Sequence, residues 1–249
     1  MPVSASALRG LPEVAEGDDL AALIVDAAPE PLRDGDVLAV AHKVVSKAEG
    51  QVRHLAGVEP GARARELATA HAKDARHVQV VLDESAELLR AERGILICRT
   101  RQGFVCANAG VDASNSAADD EVVLLPADPD VSARALRSRL RELTGAAPAI
   151  LITDSFGRTW RHGQCDVAIG CAGLAPLEDW RGRADAAGRQ LSATWIALAD
   201  AAAAAADLAR SKDSREPVVL VRGLERHVSA QDGPGAAALL RPPAEDLFR

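Results

Sequence analysis

Residues 150–173, ILITDSFGRTWRHGQCDVAIGCAG, constrain this chain more than any other stretch. The apolar run 149–152 reads as a short buried strand. It stops at Thr153-Asp154-Ser155, three oxygen-bearing side chains in succession. A loop is expected next, holding Gly157, Arg158, Arg161, His162 and Gly163, before a second apolar run over 166–169 leads to Gly170. A buried strand ending in a carboxylate and opening into a glycine- and arginine-rich loop suits an active site. Glycine lets backbone approach a ligand closely, guanidinium groups fork onto phosphate or carboxylate oxygens, and a carboxylate such as Asp154 can hold a hard cation. The plain alternative is an ordinary strand–turn–strand with a solvated loop.

The bulk numbers exclude several classes. At 249 residues and 48% hydrophobic, the chain can bury a sizeable core, which argues against global disorder. With three Trp, three Phe and no Tyr, that core must come from Ala, Val, Leu and Ile, and base-stacking platforms are improbable. A net charge of −7 without a pooled basic block argues against a nucleic-acid partner. The four cysteines, Cys98, Cys106, Cys165 and Cys171, form no CxxC pair, so a zinc site is poorly supported and free thiols in a reducing cytoplasm are expected. The N-terminal residues lack an apolar segment of secretory type, and the alanine run 200–207 is too short to span a membrane. A soluble protein is expected.

Along the chain, Asp18-Asp19 caps a helix over 20–28, and residues 37–41 read as a buried strand. Just beyond it lie His42, Lys43 and Lys47, which fit either an anion site or a solvated helix start. A helical pattern covers 62–72, whereas 75–83 can be read as helix or strand. Apolar runs at 95–100 and 104–107, joined by Arg101-Gln102-Gly103, read as a hairpin. It leads into a polar loop with Asn108, Asp112, Ser114 and Asn115, where Asn and Asp are also ordinary turn formers. A short strand is expected at 122–125, a helix at 131–143 behind Asp128-Pro129-Asp130, a long alanine-rich helix at 192–210 and a last strand at 217–221. The tail from 232 onward reads as a surface extension. Without strict βαβ alternation, the expected fold is α/β (α+β) with a mixed sheet and packed helices, rather than doubly wound.

The ordered blocks Leu11-Pro12-Glu13-Val14, GDVLAVAHKVVSKAEG (35–50), GFVCANAGVDASN (103–115), LLPADPDVSA (124–133), ITDSFGRTWRHGQCDVAIGCAGL (152–174) and PVVLVRG (217–223) resemble the coenzyme F420-0:L-glutamate ligase family. The resemblance covers nearly the whole chain. It implies an unusual α/β ligase fold over residues 1–249 as one ligase domain, with room for two subdomains, and an intertwined homodimer. Some relatives add a nitroreductase-like domain, and none is expected within residues 1–249. The implied reaction uses GTP with magnesium or manganese, potassium being a further candidate, to append L-glutamate to the lactyl carboxylate of F420-0. Further γ-linked glutamates follow. An acyl phosphate formed from GTP would turn that carboxylate into a good acyl donor.

Carried over by position, the resemblance implies Asp112 and Asp154 as metal ligands, with Ser155 contributing to a second ion. It places Leu11, Pro12, Glu13 and Val14 along the nucleotide, largely through backbone. His42, Lys43 and Lys47 would meet the nucleotide, Lys47 at phosphate, and Asn115 would touch GTP. Asp112, Asp154 and Lys47 would carry the chemistry. Ser211 and Lys212 fall in a nucleotide- and metal-contacting region, where relatives often carry Met-Gly before a polar residue; a charged lysine cannot ligate a cation. Residue types alone suggest Arg158, Arg161 and His162 for substrate phosphate or carboxylate. Two rivals use the same residues: a metal-dependent phosphohydrolase, and a non-catalytic nucleotide- or deazaflavin-binding protein. GTP turnover that requires both F420-0 and glutamate separates the ligase from both.

Overall fold

The computed structural model describes residues 2–113 and 120–246. In chain order it contains β1 (Ser4–Ala7), α1 (Leu20–Ala27), β2 (Val37–Ala41), α2 (His42–Ala48), β3 (Val52–His54), α3 (Ala62–His71), α4 (Ala75–Asp83), β4 (Ser85–Glu92), β5 (Ile95–Thr100) and β6 (Val105–Ala107). These are followed by β7 (Glu121–Val123), α5 (Pro129–Thr144), β8 (Ala149–Arg158), β9 (Arg161–Ala172), β10 (Leu177–Asp179), β11 (Trp195–Ala197), α6 (Leu198–Asp207) and β12 (Val218–Arg222).

A five-stranded sheet in the order β1-β12-β2-β8-β9 forms the centre. Only β2 and β8 run parallel; the other pairings are antiparallel, so the sheet is mixed, as expected. Strand side chains alternate between faces. Leu38, Val40, Ile150, Ile152 and Leu220 pack with Ile24 of α1 and Leu136 and Leu140 of α5. Val37, Ala39, Leu151, Val219 and Val221 pack on the other face against Ala199, Ala202 and Ala206 of α6. Both faces are covered, which is why β2, β8 and β12 read as continuous apolar runs. A separate cluster joins α3 and α4 to Leu96, Cys98, Val111 and Val122 beside the β4-β5-β6 sheet.

The alanine-rich α6 lets the second layer sit close to the sheet. Close approach is tighter still at Gly170, where an added Cβ would lie 2.3 Å from the carbonyl oxygen of Pro129 at the start of α5. Gly170→Ala must therefore push α5 away from β9. We expect a loss of about 1–3 kcal/mol in urea-induced unfolding; an unchanged midpoint would show that this contact is not tight.

Three expectations need correction, and one open reading is settled. Residues 156–158 and 161–163 are strand, not loop: β8 and β9 continue as a hairpin with Arg158 opposite Arg161. The hairpin turns at Thr159-Trp160, with Trp160 at φ 68°. This outer half is exposed on both sides, so it shows no hydrophobic alternation from which a strand could be read. The expected helix over 192–210 shortens to Leu198–Asp207, because Trp195–Ala197 pairs instead with Leu177–Asp179. The undecided stretch 75–83 is helix α4, capped by the Asp74 side chain accepting from the Arg76 amide, with Val78, Val80 and Val81 buried. The tail is not only a surface extension: Ala236 is fully buried against the α6 face.

Candidate active site

Four segments meet at one end of the central sheet. Parallel β2 finishes there, with Ala41 paired to Thr153, and β8 runs on beyond it to Arg158. Antiparallel β12 begins there, and the Ala41 amide donates to the Pro217 carbonyl at 2.8 Å. Residues 8–14 leave β1 at the same end, where the Leu8 amide donates to Val218. Helix α2 starts directly from β2, so His42 and Lys43 project where the strand stops.

Those two residues each engage one of the two predicted aspartates. Lys43 Nζ lies 2.7 Å from Asp112 Oδ2, and His42 Nε2 lies 3.4 Å from Asp154 Oδ1. Asp112 is held by reciprocal backbone hydrogen bonds with Val123 and follows three consecutive left-handed residues, Asn108, Ala109 and Gly110. For Asn108 and Ala109 that conformation costs energy, and such strain clusters where a following side chain must be aimed. Asp154 also raises the Cys106 thiol, which burial first of all pushes up to about 12, so that cysteine stays protonated. One turn further along α2, Lys47 pairs with Glu13, joining the Leu11, Pro12, Glu13 and Val14 segment to the same site.

Strand alternation sends Asp154 and Ser155 to opposite faces of the sheet. Ser155 Oγ donates to Asp166 Oδ1 at 2.6 Å and accepts from Lys212 Nζ at 2.7 Å. Thr153 Oγ1 donates to Asp166 Oδ2 at 3.0 Å, and the Arg210 guanidinium pairs with the same oxygen. Lys212 Nζ also lies 3.1 Å from Asp207. Asp166 is 1% exposed. Burial alone would push its carboxyl up; the Ser155 hydrogen bond and the charges of Arg210 and Lys212 win, leaving it below the usual carboxylate range.

The remaining predicted residues are placed differently. Arg158, Arg161 and His162 lie on the exposed outer hairpin, where Arg158 Nη2 donates to the His162 carbonyl at 2.5 Å. At about 3.3 Å per strand residue, Arg158 begins about 13 Å beyond Asp154. Ser211 is exposed at the turn that carries Lys212. Ser114 and Asn115 lie outside the described residues. The sequence reading missed Asp166 as a site residue. Its only signal was a carboxylate opening a buried apolar run, where an unpaired charge would be costly.

Asp112, Asp154 and Ser155 offer oxygen donors of the kind that hard divalent ions take. His42 Nε2 is buried and makes no hydrogen bond although it faces Asp154, a polar atom left open toward the same space. Donor chemistry therefore fits a magnesium- or manganese-type ion, which would compete with Lys43 for Asp112. Among the described residues no group of three or more His, Cys, Asp or Glu stands ready to bind a metal, so an ion would need donors from outside that set.

Fold and site define an α/β protein in which opposed charges gather at the end of a mixed sheet, beside the start of a helix. Residues 10–223 match the family model described as F420-0:Gamma-glutamyl ligase, and the chain belongs to that family. It is 47% identical over 239 residues to the Coenzyme F420:L-glutamate ligase of Methanopyrus kandleri, covering 95% of this chain and 94% of that protein. Its likeness to the proteins of the same name is 42% from Methanothermobacter thermautotrophicus, with both chains fully covered. It is 44% from Archaeoglobus fulgidus, covering 100% of this chain and 97% of that protein.

Proposed function

We propose that this enzyme is a ligase that joins L-glutamate to the lactyl carboxylate of coenzyme F420-0, using GTP and passing through an acyl phosphate. It then adds further γ-linked glutamates. The observation that carries this reading is the full-length similarity to proteins named Coenzyme F420:L-glutamate ligase. The geometry supports it: phosphoryl transfer between anions needs charge neutralisation and alignment above all, and Lys43, Lys47, Arg210 and Lys212 lie on the segments that follow β2 and precede β12 at one end of the sheet.

Lys47 and the 11–14 segment bind the nucleotide in this reading, with Lys43 and His42 beside it. Arg158, Arg161 and His162, further out on the hairpin, meet an anionic part of the acceptor. Magnesium or manganese held by Asp112 and Asp154, with Ser155 contributing to a second ion on the other face, would neutralise phosphate charge, and potassium is a further candidate. Asn115 belongs to the nucleotide site on sequence grounds alone. A homodimer and a cytoplasmic location complete the proposal. Among the described residues no helix is long and apolar enough to cross a membrane.

Mass spectrometry of a reaction containing F420-0, glutamate, GTP and manganese should show products heavier by successive glutamyl units. GTP turnover without either acceptor would instead indicate a phosphohydrolase, and GTP binding without product a binding protein. Lys47→Ala should raise the KM for GTP about ten- to a hundredfold, as expected for loss of one charged hydrogen bond, and change the KM for glutamate far less. Equal effects on both would move Lys47 away from the nucleotide.

A further inference from the structure

The register of β8 and β9 changes between two consecutive pairs. Ile152 lies opposite Gly170, but Thr153 lies opposite Ala168, so β9 carries one extra residue at Ile169. Such a bulge re-aims the side chains beyond it. Without it, Ser155 would face Val167; with it, Ser155 faces Asp166. The bulge is held from outside the sheet, because the Ala168 amide donates to Asp200 Oδ1 at 3.0 Å in the first turn of α6.

Asp166 then accepts from Ser155, Thr153 and Arg210 at once. Ser155 has one hydroxyl proton, and that proton is committed to Asp166 at 2.6 Å. One of its lone pairs takes Lys212 Nζ at 2.7 Å. A hydroxyl has two lone pairs, so Ser155 can face a ligand only as an acceptor, toward a cation or an N–H group. Arg210 also donates to the Pro217 carbonyl at 2.9 Å, so its pairing with Asp166 fastens the 210–217 segment onto the sheet.

We propose that Asp166 is a positioning residue for the ligase reaction: it fixes Ser155 as a one-way acceptor and docks Arg210 and Lys212 beside it, without touching substrate. This deepens the reading above and rests on Ser155 meeting the nucleotide–metal complex. Partners that orient a ligating group characteristically change affinity when removed, by about 10–100-fold.

The test is calorimetric binding of manganese–GDP to the purified full chain, together with steady-state kinetics. Asp166→Asn should weaken manganese–GDP binding and raise the KM for GTP by about 10–100-fold, leaving the KM for glutamate within about twofold and the circular dichroism unchanged. Because Asp166 fixes Ser155 and docks Arg210 and Lys212 beside it, the Ser155→Ala/Asp166→Asn double variant should lose less binding than the sum of the two single losses. Additive losses, or wild-type binding by Asp166→Asn while Ser155→Ala is impaired, would overturn the role of Asp166 and leave the site reading standing. Wild-type binding by Ser155→Ala would instead overturn the reading on which the role rests. Should Asp166→Asn fail to fold, Arg210→Gln keeps a donor toward Asp166 and removes the docking charge. It should show the same selective loss for manganese–GDP, and wild-type binding there would overturn the proposal.

Discussion

Asp154→Asn is expected to lower the ligation rate about 100–1000-fold while leaving the fold intact, the scale of losing one preorganised electrostatic group. The substitution is close to isosteric. The amide oxygen can still accept the Ser155 N–H, which now donates to Asp154 Oδ1 at 2.8 Å. What disappears is the negative charge facing His42 Nε2 and any cation beside it. Because Asp154 sits within β8, after fully buried residues and paired to Val167, its backbone should hold position without the charge. The rate should not recover at saturating magnesium, and thermal unfolding should stay near wild type. A wild-type rate under those conditions would remove Asp154 from the chemistry.

Arg137→Met should produce the largest loss of stability, about 3–5 kcal/mol, the range for stripping one partner from a buried charged network. The guanidinium is 5% exposed yet donates to five acceptors. These are the carbonyls of Ala147, Pro148, Ser229 and Ala230 and the carboxylate of Asp232. One side chain on α5 therefore ties the entry to β8 to the segment that follows β12. Methionine fills similar volume but satisfies none of those acceptors; water can reach Ser229, Ala230 and Asp232, so the cost falls mainly on the Ala147 and Pro148 carbonyls, about 1–3 kcal/mol each. For a chain of this size the melting temperature should fall by about 6–20 °C. Limited proteolysis should cut first near residues 229–232. A fall of less than about 2 °C would show that water replaces the guanidinium at little cost.

Arg137 also shows what a sequence hides. On helix α5 it reads as one of several arginines on a wet face, with Arg134, Arg139 and Arg141. Only the packing of residues 229–232 over it turns that position into an interior one. Asp166 is similar: its hydrogen-bond partners lie 11 to 44 residues away, Lys212 lies further still, and the bulge that aims it at Ser155 depends on Asp200 from a different layer. The outer β8–β9 hairpin was misread for the opposite reason. Its residues are solvated on both sides, so no alternation marks them as strand. The 192–210 reading runs too long because the alanine run beside Trp195–Ala197 masks a pairing with Leu177–Asp179 that only the tertiary structure supplies.

By itself the sequence determined the buried strands at 37–41, 149–152 and 217–221, the capped helices α1 and α5, the mixed character of the sheet and the family. Each rests on local signals: uninterrupted apolar runs, capping aspartates, or motif blocks read in order. Tertiary structure alone decided which charges meet. It set His42 against Asp154 and Lys43 against Asp112, and it placed Ser155 on the opposite face from Asp154, held by Asp166. The reason is physical: a strand's end fixes where a side chain starts, but the partners that neutralise it arrive from distant segments, through sheet order, bulge and layer packing.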